Sequence, residues 1–212
     1  MLRRRGLNSV VRWLIGDNQM LTILRMMWKD WGFAPSLFGQ ATHFLQLARR
    51  ETEHQAVEGH IRASIVFSLM AFEAYFRDAI RGFIQANRSK VDSSSLDQVE
   101  RGLAGHTGIR AGVREWPSLL TGKPLDSGTD FYLDWLNFTE YRNALVHGKI
   151  TERIPALGKL AQELEVIDQA QLAHATAAAM IKATAAHFGF DVAAWACAEQ
   201  PPNNTLEQSR RP

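Results

Sequence analysis

Cysteine is almost missing from this chain. Cys197 is the only one in 212 residues, which excludes an internal disulfide framework and any cysteine-rich zinc site. Long apolar runs are missing too. The longest largely apolar, uncharged stretch, Ala63 to Phe72, stops at Glu73 and falls far short of the ~20 residues a spanning helix needs. Charge of one sign is scarce: a formal net charge of +2 does not by itself announce nucleic-acid binding, although a local basic patch stays open. Residues 1–16 carry an arginine cluster, but Arg12 interrupts the apolar core of a secretory leader and no small-residue cleavage site follows. A mature segment in a reducing, cytoplasmic setting is the expectation.

What is present has the balance of a soluble globular protein, 46% apolar and 22% charged. Its apolar positions recur with helical spacing and nowhere alternate as strands do, so the expected fold is all-α. Residues 1–50 read as an N-terminal helical extension. Within it, 1–32 form basic amphipathic helices bent near Gly16 and Asp17, and a second helix runs from Leu37 to Arg50 after the break at Gly32, Pro35 and Ser36. Residues 51–198 read as a helical bundle, and the polar tail 199–212 as disordered. The central helix spans about 51–86, with the stripe Ile61, Ile65, Leu69, Phe72, Phe76, Ile80 and Phe83. An irregular insert, 87–129, is rich in Gly and carries short helices near 96–103 and 108–115. The last long helix is expected from Gln169 to His187, capped by Asp168 and stopped by Gly189. A short helix with Trp195 follows, and His174 and His187 are placed on polar faces.

Two chemical signatures come up empty. Glu51-Thr52-Glu53-His54 supplies an E-x-x-H half-site, but the second copy that a carboxylate-bridged metal centre requires is nowhere in the chain. Polar residues facing solvent at a helix start explain it better, and no metal is expected. Gly122-Lys123 is followed by Pro124 where a phosphate loop has Ser or Thr. Arg101, Arg110, Arg114 and Lys123 give the insert a positive lean, and Trp116 is either a base-stacking platform or a side chain packed back on the bundle.

The stretch that concentrates chemistry is Tyr141-Arg142-Asn143-Ala144-Leu145-Val146-His147-Gly148. It ends a helix that begins near Phe131, with Phe131, Trp135, Phe138 and Leu145 on one stripe and Arg142 falling on it. An arginine on an apolar stripe needs a carboxylate or an anionic ligand. Glu73, between Leu69 and Phe76 on the central helix, equally needs a cation. Arg142 and the nearby Arg77 are both candidates. Asn143 and His147 are four apart on one face, whereas Arg142 and His147 lie about 140° apart around an ideal helix. Spacing alone leaves two accounts: a capping histidine with a snorkelling arginine, or two such helix ends converging across a two-fold axis on one phosphate.

The apolar helix containing SLMAFEAYFRD, followed by a helix ending YRNALVHG, resembles the HEPN superfamily of helical-bundle domains over about residues 55–190. Its signature is Arg, four to six residues, then His, with a polar residue after the Arg. Arg142, Asn143 and His147 match that pattern. The resemblance implies a metal-independent endoribonuclease of toxin or antiphage-defence type, without cofactor, acting on RNA as a homodimer with a composite site. An antitoxin or defence-system partner protein goes with that class. In this reading His147 is the general acid/base, Arg142 clamps the phosphate, Asn143 orients and Glu73 supports Arg142. Arg110, Arg114 and Lys149 bind RNA. Products would be 2′,3′-cyclic phosphate ends formed by 2′-OH attack. Lys149 stands where nucleotidyltransferase-silenced HEPN toxins carry an AMP-accepting tyrosine, so that control does not transfer. The alternative is a non-catalytic HEPN-type module that binds RNA or protein.

Overall fold

The structure, a computed structural model, describes residues 33–106, 108–125, 129–147, 166–192 and 194–197. Side chains are described for these residues except His106 and 144–147. The basic 1–32 segment, Lys149, the 151–164 connector and the 199–212 tail all lie outside them. Every regular element among the described residues is helical, and the fold is all-α. None of the described helices is long and apolar enough to cross a membrane.

Helix α1, Phe33–Arg50, buries Ala34, Leu37, Phe38, Ala41, Phe44, Leu45 and Ala48, a stripe at three- and four-residue spacing. It starts earlier than the Pro35 break suggests, because a proline in the first turn lacks only an N–H that has no intrahelical partner there. A short connection, in which Glu51 Oε1 accepts from the Thr52 and Glu53 N–H groups, turns the chain into helix α2, His54–Asn87. At 34 residues α2 runs about 51 Å and is apolar nearly all round from Ile61 to Phe72. The two buried hydroxyls in that stretch are satisfied. Ser64 Oγ donates to the Ala41 carbonyl at 2.9 Å and Ser68 Oγ to the Ser64 carbonyl at 2.8 Å. Leu37 to Ala48 belong to the same core as α2, so the packing runs straight across residue 50.

Beyond α2 the chain is more regular than its glycines suggest. Asp92 caps helix α3, Ser93–Arg101, by accepting from the Ser95 N–H at 2.9 Å. A π turn, Gly102–His106, reverses at Gly105, whose φ of 103° suits glycine. Helix α4, Ile109–Thr121, continues through Pro117. Trp116 is 1% exposed and stacked on Phe76 at 5.9 Å. It is therefore core, and the stacking-platform alternative fails. Gly102 and Gly112 make its slot: a Cβ at either would stand 2.5 Å and 2.9 Å from the indole.

Helix α5, Asp130–His147, carries the motif stretch. Helix α6, Ile167–Phe188, closes the bundle against α1, α2 and α5 with Ala170, Ala173, Ala177 and Ala185 fully buried. It begins at Ile167 with Val166 at the cap position and no side-chain cap, so Asp168 sits in the first turn, where the helix dipole still favours it. Gly189 ends α6 at φ 71° as expected. Helix α7, Ala194–Cys197, lays Trp195 against Phe38 and Tyr75.

Candidate functional site

Helix α5 buries Tyr132, Trp135, Phe138, Thr139 and Tyr141. Next on this face comes Arg142, whose side chain keeps 14% of its surface. Its Nη1 lies 2.5 Å from Oε1 of Glu73 on α2, a carboxylate left 18% exposed. The interhelical partner is thus chosen over the local one. Arg77 instead lies over the Trp116 ring, 5.8 Å from its centroid.

The pair is close, and it leaves one guanidinium donor over. Both the charge of Arg142 and a hydrogen bond from it act on the Glu73 carboxyl, while Arg142 Nε is buried with no partner among the described residues. Burial pushes the Glu73 carboxyl above its ordinary range, and the Arg142 charge pulls it back only in part. Two more polar atoms on the same arc of α5, Trp135 Nε1 and Thr139 Oγ1, are buried without partners among the described residues. Trp135, Thr139 and Arg142 are spaced four and three apart, so they share one helix face. Buried orphans of this kind are rare and ask for an explanation. A guanidinium has five N–H donors in a fixed fork, and Glu73 does not exhaust them.

Asn143 follows, half-buried. The α5 backbone continues to His147, five residues and about 7.5 Å of rise beyond Arg142. The His147 side chain and Lys149 lie outside the described side chains. Arg110 and Arg114, one turn apart on α4, are exposed. Arg110 reaches Glu140 of α5 at 2.9 Å and Arg114 reaches its neighbour Glu115 at 2.7 Å. Burial pushes the Tyr132 phenol up, and the Arg114 and Arg110 charges pull it down. Arg114 therefore sits beside the first turns of α5, near Tyr132, and Arg110 lies along the helix from Tyr132 to Glu140, two residues before Arg142 in the chain. They flank the motif helix without meeting Arg142.

The E-x-x-H half-site faces solvent at the start of α2. His54 is 87% exposed and pairs with Glu58 at 3.0 Å, which also holds Arg62 at 3.2 Å. No group of three metal-ligating side chains occurs among the described residues. His174 corrects the sequence reading. It is 5% exposed, with Nε2 2.9 Å from Thr42 Oγ1 and its ring 4.0 Å from that of Phe38. Burial, helped by the Arg49 charge, drives its pKa down to about 4. His187 is half-buried and meets Thr121 Oγ1 at 3.0 Å. The apolar stripe of α6 is built from alanines that tolerate a polar neighbour, which hid His174 in the sequence. Tyr141 and Thr139 were hidden too, because the aromatic stripe read from Phe131 steps past both.

No protein family, curated protein or solved structure matches this chain. The case for its function rests on its own residues.

Proposed function

We propose that this protein is a metal-independent endoribonuclease of HEPN type, acting as a homodimer in a toxin or antiphage-defence role. The observation that carries the reading is the largely buried Glu73–Arg142 pair near the end of the motif helix, with Arg142 Nε left without a partner among the described residues. An arginine that packs as core yet keeps unused donors is suited to receive phosphate oxygens in a planar fork.

In this reaction the 2′-oxygen of the substrate attacks the adjacent phosphorus and the P–O5′ bond breaks. The 2′ proton leaves to a base, and the departing 5′-oxygen takes up a proton. His147 supplies the imidazole that exchanges these protons. Arg142 stabilises the charge that builds on the phosphorane oxygens. Glu73 holds the guanidinium at a fixed position, and Asn143 orients the imidazole or the phosphate. Arg142 and His147 lie about 140° apart on an ideal helix, so a second copy across a two-fold axis brings the two groups to one phosphate. Arg110, Arg114 and Lys149 steer the backbone of the strand.

The test is cleavage of total RNA by the purified protein in EDTA. Fragments ending in 2′,3′-cyclic phosphate and 5′-hydroxyl, with DNA left intact, support the reading. Cleavage that requires a divalent ion, or binding without turnover for every RNA offered, refutes it. The latter result would favour a non-catalytic RNA-binding module.

A further inference from the structure

A cleft of about 350 Å³ opens beside Glu73, lined by Phe33, Met70, Ala74, Arg77, Asp78 and Arg81. Its floor is α2. Glu73 is matched by Arg142 at 2.5 Å and Asp78 by Arg81 at 2.9 Å. Arg77 has the Trp116 ring beneath it and no ion-paired carboxylate among the described residues. The cleft's own lining balances two carboxylates against two arginines. With Arg142 on Glu73 and Arg81 on Asp78, however, the cation left over is Arg77, a single helical turn of about 5.4 Å from Glu73, on which its charge also acts. The lining also holds Phe33, 38% exposed and one of few large apolar side chains open to solvent among the described residues, with Met70 and Ala74 adding apolar surface. An arginine without an ion-paired carboxylate and an open aromatic ring lining one cleft suit a nucleotide: a phosphate for the cation and a flat base for the ring.

We propose that this cleft is a subsite for one nucleotide of single-stranded RNA, adjoining the scissile phosphate, with Arg77 on its phosphate and Phe33 under its base. The substrate class rests on the ribonuclease reading; the cleft and its unmatched cation do not. Because base stacking is tolerant of sequence, the subsite orders the strand and adds affinity with little base preference.

The test is binding of a short single-stranded RNA carrying 2′-O-methyl groups, which cannot be cleaved by 2′-OH attack. Affinity is measured over a range of salt for wild type, Phe33→Ala, Arg77→Met and, as control, Lys182→Ala on the exposed side of α6. Methionine keeps a stem on Trp116, and Phe33 is open enough to truncate; circular dichroism confirms the fold of each. Phe33→Ala should weaken binding roughly tenfold. Arg77→Met should weaken it and flatten the slope of log affinity against log salt by about 0.7. Lys182→Ala should change neither. The proposal is overturned if wild type does not bind the probe, or if both cleft variants bind as wild type. It is also overturned if a mononucleotide binds as tightly as the oligonucleotide, which marks a free-nucleotide site. Loss of binding in both variants of a protein that never cleaves RNA would keep the subsite and refute the nuclease.

Discussion

Two buried titratable sites lie in the same bundle and are built on opposite principles. His174, between α1 and α6, is held by a hydroxyl and an aromatic ring, and burial keeps it neutral at ordinary pH. A neutral, hydrogen-bonded polar group costs a core little. Glu73–Arg142, between α2 and α5, brings a carboxylate and a guanidinium together and leaves Arg142 Nε without a partner among the described residues. A buried ion pair of that quality gains little over apolar residues of the same volume. The first site is what stability alone would select. The second is not, and the proposed nuclease accounts for it by giving Arg142 a phosphate to hold.

The largest effect is expected at the end of α5. His147→Ala should lower the rate of RNA cleavage by roughly two to four orders of magnitude with the melting temperature unchanged, read by single-turnover gel assay and calorimetry. A variant that cuts like wild type would remove the imidazole from the chemistry. At the pair itself, Arg142→Ala strands a carboxylate and should lower unfolding free energy by about 3 kcal/mol, the low end for a buried pair because both side chains keep some exposure.

The neutral site predicts a pH dependence. Histidine ordinarily titrates near 6.5 and His174 at about 4, so the folded state binds fewer protons than the unfolded chain between those values. Its contribution is complete above pH 6.5 and is lost as pH falls toward 4, up to about 3 kcal/mol. Urea unfolding at pH 7 and pH 4.5 measures it, and His174→Gln should flatten the change. A slope unaltered by that substitution would show that His174 does not stay neutral in the fold. Smallest is the effect at the exposed arginines of α4. Arg110→Ala with Arg114→Ala should shift stability by under about 1 kcal/mol, while flattening the salt dependence of RNA binding by about 0.7 for each phosphate no longer neutralised.

The helices, their order and the place of Arg142 were legible because periodicity reports burial directly, and a cation on an apolar stripe announces a partner. Which partner was not legible. Glu73 had two arginines to choose from, and the choice turned on Trp116, whose burial against Gly102 and Gly112 gives Arg77 a ring to cover. Those glycines read as an irregular insert, yet two of them admit an indole that a Cβ would exclude. Asp168 looked like a cap, but helix α6 starts one residue earlier, at Ile167. His174 could not be placed from a helix so rich in alanine, since small residues mark close packing without saying which face it serves.

If the Glu73–Arg142 pair is kept for a ligand, it is kept at some cost to the fold, and replacing both partners exposes that cost. The double variant Glu73→Leu/Arg142→Met is measured beside wild type for unfolding free energy and for RNA cleavage in EDTA. It should be at least as stable as wild type, by up to about 4 kcal/mol, and should no longer cleave RNA. A double variant that is destabilised yet still cleaves would contradict a ligand role, and would make the pair a structural element of the bundle.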